Sequence, residues 1–194
     1  SLLPSFAHNW FLPNLASFEK LHPDISLRLA PSYHAIDLDM VSDIDLAIRL
    51  GRGDWPNLHS LQVTEDELIP VCSPNIAREL NDISDIKEQR LIVDSSPYDE
   101  WHRWQAKADL NYIPKDSLYL DDVNLQLSAA VEGKGICLSR KSFVANHLAF
   151  GNLVQPFELS IYSNFNFYLV FPESRLKETK IADFYQWIKN IRYK

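Results

Sequence analysis

The chain has 194 residues, 46% of them hydrophobic, with only 5 glycines and a formal net charge of −7. It is long enough to bury a sizeable core as one or two domains, and its composition is that of an ordered globular chain, not a linker or disordered tail. The acidic balance argues against direct DNA or RNA contact, which needs clustered Lys and Arg. The lack of an apolar run of about 18 residues argues against a spanning helix, and the first residues lack the basic start of a signal peptide.

In chain order, Leu2 and Leu3 read as the end of a strand stopped by Pro4. Ser5 is placed to cap a short helical turn, and Pro13 restarts a helix that turns Leu15, Phe18 and Leu21 inward until His22-Pro23 ends it. Ile25, Leu27 and Leu29 alternate as a strand, residues 35–41 suit a short helix, and residues 44–48 read as the next strand. Gly51 and Gly53 flank Arg52, so residues 51–57 are expected as an exposed turn. A second apolar run at residues 68–72 leads to Ser73-Pro74, a helix start over residues 74–80, and Ser84 suits the cap of a further turn. Residues 91–93 read as a strand, and Ser96, Pro97 and Asp99 form a capping box before a helix with Trp101, Trp104 and Ala108 on its core face. A strand at 118–120, a helix capped by Asp121 or Asp122 and ended by Gly133, a strand at 135–138 and a helix at 142–149 stopped by Gly151 follow. The chain closes with a strand-like run at 165–171 and an amphipathic helix carrying Ile181, Phe184, Tyr185, Ile188 and Ile191.

This alternation implies α/β architecture with parallel strands and short crossovers, repeated in two halves. The stretch IDLAIRLGRGDWPNLHSLQVTEDELIPVCSP (44–74), together with EGKGICLSRKSFV, LVQPF and FYLVFP, resembles the effector-binding domain of LysR-type transcriptional regulators. The subgroup is that of the activators of the glycine-cleavage and β-lactamase genes. The resemblance covers almost the whole chain. It implies a type 2 periplasmic-binding-protein-like fold: two Rossmann-like subdomains, 1–71 with 169–194 and 72–168, joined by two hinge strands carrying Val71, Cys72 and Leu169. It also implies a cytoplasmic protein that senses a small polar metabolite in the inter-lobe cleft. That protein would be a homodimer, and a tetramer at full length, meeting DNA only through an N-terminal winged helix-turn-helix absent from this chain. The expected dimer uses apolar helix faces near Phe18 and Val131.

Ligands of open α/β sheets bind beyond the carboxyl ends of strands, where helix starts present free N–H groups. The strand order therefore nominates Ser5 and Phe6, then Ser32 to His34 including Tyr33, and on the other lobe Ser95 and Ser96, then Asp121 to Val123. The resemblance implies effector contacts at Ser5, Asp37, Asp122, Val123 and Phe167, with Phe165 on the same returning run. Phe167 departs from the tyrosine often found there, so a hydroxyl donor is missing. Ser5, Ser96 and Asp122 are equally good helix caps, and Phe165 and Phe167 equally good core residues.

No catalytic residue, cofactor or metal site is expected. The six histidines are scattered, and neither CxxC, HExxH nor GxSxG occurs. Cys72 and Cys137, each inside an apolar run, read as buried reduced thiols in a reducing compartment. Two rivals remain: a periplasmic solute-binding protein of the same fold, and a transferase or dehydratase on that scaffold. The second would need a basic cluster in the cleft where only isolated residues such as Arg49 and Arg103 are present.

Overall fold

The computed structural model describes residues 1–34, 43–94, 100–112, 114 and 116–192. In it the strands are β1 (Ala47–Gly51), β2 (Leu58–Gln62), β3 (Glu67–Val71), β4 (Leu91–Val93), β5 (Ser117–Tyr119), β6 (Ile136–Arg140), β7 (Ile161–Tyr162) and β8 (Asn166–Pro172). The helices are α1 (Pro4–Phe6), α2 (Leu12–Leu21), α3 (Pro74–Ala77), α4 (Glu100–Lys107), α5 (Val123–Val131), α6 (Lys141–Ala149) and α7 (Thr179–Ile191). A π-helical turn, Ala7–Phe11, joins α1 to α2. The chain divides into two compact units, Ser1–Glu65 with Asn164–Lys194, and Asp66–Ser163. The expected helix at 35–41 and the capping box at Ser96 lie outside the described residues.

In the first unit the sheet order is β1-β8-β2, antiparallel throughout, with Ile48 opposite Leu169 and Leu61 opposite Leu169 on the other side. Among the described residues, the parallel arrangement expected from the β-α-β pattern survives in this unit only as single bridges from Leu2 to Pro31 and to Ile48. Residues 25–29 are not a strand. Pro31 has no N–H to donate, so the link there rests on Ser32 N–H to the Leu2 carbonyl at 2.9 Å. The strand expected at 44–48 begins three residues later, because β1 is held by β8, which arrives from the far end of the chain.

One face of β8 carries Phe167, Leu169 and Phe171, all buried, and Phe6 packs on Phe167 with ring centroids 4.4 Å apart. An aromatic cluster holds α2 to α7: Phe18 stands 5.4 Å from Phe184 and 5.1 Å from Trp187, and Trp187 donates Nε1–H to Ser17 Oγ at 2.9 Å. Phe18 itself is 0% exposed, while α2 leaves Leu12 and Leu21 exposed. On the other sheet face, Tyr168 and Val170 meet Trp55, Leu58 and Ala47.

The second unit is a mixed sheet in the order β5-β4-β6-β3-β7. Strands β5, β4 and β6 are parallel, and β6, β3 and β7 antiparallel. Alternation along β3 and β6 builds two cores: Leu68, Cys72 and Ile136 face Trp104, while Ile69, Val71 and Cys137 face Leu127 and Val144. Cys72 and Cys137 thus lie in different cores and are free thiols. Helix ends follow the sequence chemistry. Ser73 Oγ accepts from Ile76 N–H, and Gly133 and Gly151 sit at φ +68° and +72° where α5 and α6 stop. The turn at 83–88 is capped by Asp82, not Ser84: Asp82 Oδ1 accepts from Ser84 N–H at 2.9 Å while Asp85 Oδ2 accepts from Asp82 N–H at 3.0 Å, a reciprocal box that a carboxylate completes.

Candidate functional site

In the first unit, the bridge from Leu2 to Ile48 and the pairing of Leu50 with Phe167 and Gly51 with Asn166 set one end of the sheet. The chain leaves Leu2 into α1 at that end. Ser5 is not the cap expected: the cap position is Leu3, with Pro4 in the first helical turn and no side-chain bond. Ser5 is instead held inside the turn, 6% exposed, its carbonyl accepting from Asn9 Nδ2 at 2.9 Å. Its hydroxyl makes no hydrogen bond to a described residue. Phe6, the next residue, stacks on Trp10 at 4.9 Å and packs on Phe167, and both Phe6 and Phe167 are fully buried. The π turn that follows is a rare local geometry found often at functional sites, and it begins two residues after Ser5.

Phe167 is pinned by its backbone. Val63 N–H donates to its carbonyl at 2.7 Å, and its own N–H donates to Thr64 Oγ1 at 3.1 Å. Tyr33 and His34 lie on an exposed turn closed by Ser32, whose Oγ accepts from His34 N–H at 3.1 Å; Tyr33 is 61% exposed. Asp37 falls outside the described residues.

Sequence reasoning passed over Arg52. Its turn is shaped by aromatic rings: a Cβ on Gly51 would come within 2.7 Å of Trp55, and Gly53, at φ +96°, would crowd Tyr168. The guanidinium lies over the Phe165 ring, 5.1 Å from its centroid. Periodicity could not find it, because a turn has no period; the paired glycines were the available signal.

In the second unit, Asp122 caps α5, its Oδ1 accepting from Leu125 N–H at 2.9 Å, with Val123 as the first helical residue. Gln126, buried one turn on, donates to the Leu120 carbonyl at 2.7 Å and accepts from the Cys137 thiol at 3.7 Å. Ser95 and Ser96 lie outside the described residues. Val71 ends β3, and Cys72 pairs with Val154 through both backbone groups. Leu169 is fully buried in β8. The chain passes between units at 65/66 and 163/164, before Val71 and Cys72 on the way out and before Leu169 on the return.

Arg49 and Arg103 are structural. Arg49 donates to the Ile48 carbonyl and to Ser1 Oγ, with burial lowering its pKa, and Arg103 donates to the Tyr162 carbonyl at 2.8 Å. Asp45 accepts from Arg175 and Lys180. A cavity of about 190 Å³ in the first unit opens between Leu29, Ile44, Ile48 and Phe184; none of the nominated residues lines it. Among the described residues no three His, Cys, Asp or Glu side chains group as metal ligands, and no helix is long and apolar enough to cross a membrane.

The family described as "LysR substrate binding domain" matches residues 1–191. The glycine cleavage system transcriptional activator of Escherichia coli K12 is 34% identical over 195 residues, covering 97% of this chain and 62% of the relative. The transcriptional activator AmpR of Providencia stuartii is 30% identical, covering 97% and 63%. The chain thus spans under two thirds of these relatives. Among solved structures, the effector domain of AmpR of Pseudomonas aeruginosa superposes with a TM-score of 0.84 at 28% identity, covering 98% of this chain and 92% of that one. The CrgA regulatory domain of Neisseria meningitidis superposes at 0.74 with 18% identity over 97% and 95%, a likeness of fold alone. The fold is therefore the type 2 periplasmic-binding-like α/β arrangement, with mixed rather than purely parallel sheets. This chain belongs to the LysR substrate-binding domains, the effector-binding part of LysR-type transcriptional regulators.

Proposed function

We propose that the domain binds a small polar metabolite between its two units. On this reading Ser5, Phe6, Asp37 and Phe167 on one side and Ser95, Ser96, Asp122 and Val123 on the other form the site, with Tyr33, His34 and Phe165 at its margin. Binding without catalysis fits the relatives, whose names are those of transcriptional regulators. The domain acts by population shift: the metabolite favours one arrangement of the units, and a homodimer, or a tetramer of the full-length protein, passes that preference to DNA-binding segments outside this chain. Its place is the cytoplasm, where DNA is. The stretches around Val71, Cys72 and Leu169 act as the hinge.

The observation that carries the reading is the Ser5 hydroxyl, held in a buried residue beside Phe6 and Phe167 without a hydrogen bond to a described residue. A hydroxyl in this place can donate to, or accept from, an incoming polar group. The test is thermal-shift screening of a metabolite library against the wild-type domain, Ser5→Ala and Asp37→Ala. A metabolite that stabilises the wild type and fails on both variants is the expected result; stabilisation that survives both substitutions refutes the site.

A further inference from the structure

We propose that Arg52 is the anion-recognising side chain of this site and that the effector carries a carboxylate. The inference rests on the reading of the first unit as one side of an effector site. The strand register places Arg52, one residue past β1, at the end of the sheet where Ser5 enters α1 and where Phe165 precedes β8. Ser5, Phe6, Phe167, Phe165 and Arg52 thus gather at one sheet end.

Three observations separate Arg52 from an ordinary surface cation. Its turn is packed on aromatic rings, since Gly51 admits the Trp55 ring and Gly53 abuts Tyr168. The guanidinium lies over the Phe165 ring, 5.1 Å from its centroid, and a guanidinium is the side chain that suits a planar bidentate acceptor. And among the described residues no carboxylate pairs with it, although the chain is acidic; Asp54, two residues on, forms no ion pair with it. By contrast, Arg49, within β1, is tied to the Ile48 carbonyl and Ser1, and Arg175 to Asp45. A guanidinium stacked on a ring, with no carboxylate pairing it among the described residues, suits a carboxylate.

The experiment uses glycine, alanine, benzoate, hexanoate, succinate and glutamate, each beside its amide. Each compound is titrated against the wild type, Arg52→Gln, Arg52→Lys and Ser5→Ala by thermal shift and calorimetry. At least one acid is expected to bind the wild type while its amide does not. Arg52→Gln should weaken that acid by about ten-fold or more, and Arg52→Lys, which keeps the charge but loses the planar fork, by less. Phe165→Ala should weaken it too, by releasing the guanidinium. Binding of the acid unchanged in Arg52→Gln, or no acid binding at all, overturns the proposal. An amide that binds and depends on Ser5 removes Arg52 while leaving the effector-site reading intact; an acid that depends on Arg52 but not on Ser5 removes that reading instead.

Discussion

Arg140 Nη1 donates to Asp66 Oδ2 at 3.2 Å, and its Nη2 donates to Ser163 Oγ at the same distance. Asp66 and Ser163 are the first and last residues of the second unit, so one guanidinium fastens the two points at which the chain enters and leaves it. Ser163 N–H donates to the Asp66 carbonyl at 3.0 Å, and Ser163 Oγ donates to Glu100 Oε1 at 2.9 Å, extending the clasp into α4. The Asp66 side chain is 3% exposed and that of Arg140 11%. Arg140→Met strands a buried carboxylate and is expected to destabilise the domain by about 3–5 kcal/mol in urea unfolding. Adding Asp66→Leu to it should recover a good part of that loss; a double variant as unstable as the single one would contradict the pairing.

Trp187 closes the aromatic cluster between α2 and α7, against Phe11, Phe18 and Phe184. Trp187→Ala is expected to cost about 3–5 kcal/mol, mostly as a cavity, whereas Ser17→Ala, which removes only the acceptor for the indole N–H, should cost about 1 kcal/mol. Chemical unfolding of the two variants side by side checks the order. Equal losses would mean the hydrogen bond and not the packing holds α7.

Asp122 caps α5 and is also nominated for the effector. Asp122→Ala should lower stability by about 1 kcal/mol, while Asp122→Asn keeps the cap oxygen and should leave stability nearly unchanged. If the carboxylate meets the ligand, Asp122→Asn will nonetheless weaken binding in the same titrations, separating the two roles.

Burial pushes the Cys72 thiol up from the ordinary 9.0 to about 11, and burial followed by the charge of Asp94 pushes Cys137 up to about 12. The unfolded chain gives up these protons first as pH rises, so the contribution is full below about pH 9 and is lost progressively above it. The loss should run at about 1.4 kcal/mol per pH unit for each thiol until the folded values are reached. Urea midpoints of the wild type and of Cys72→Ala with Cys137→Ala, compared at about pH 8 and about pH 10, test it. An identical alkaline loss in both proteins would assign it elsewhere.

The parts legible in the sequence were those with local chemistry. Ser73-Pro74, Asp122, Gly133 and Gly151 mark helix ends because caps and left-handed glycines act within a few residues. The antiparallel first sheet was not legible, since β8 reaches β1 and β2 from more than a hundred residues away and no local signal encodes that pairing. Strand β2 was missed because its edge position leaves it half-polar, and β7 because two residues carry no pattern. On α7, Trp187 is buried deeper than Tyr185, which lies instead against His59 and Phe171. At the site, Ser5 came from strand order and family likeness; that it is no helix cap, and that Arg52 stands over Phe165 at the same sheet end, follow from the three-dimensional packing and not from local pattern.

The most direct measurement is amide chemical-shift mapping by NMR of the domain titrated with a stabilising metabolite. The account predicts saturable shifts at Ser5, Phe6, Arg52, Phe165 and Phe167, with the far end of the same sheet, at His59 and Phe171, left unmoved. Shifts centred on His59 and Phe171 with Ser5 and Arg52 silent would contradict it.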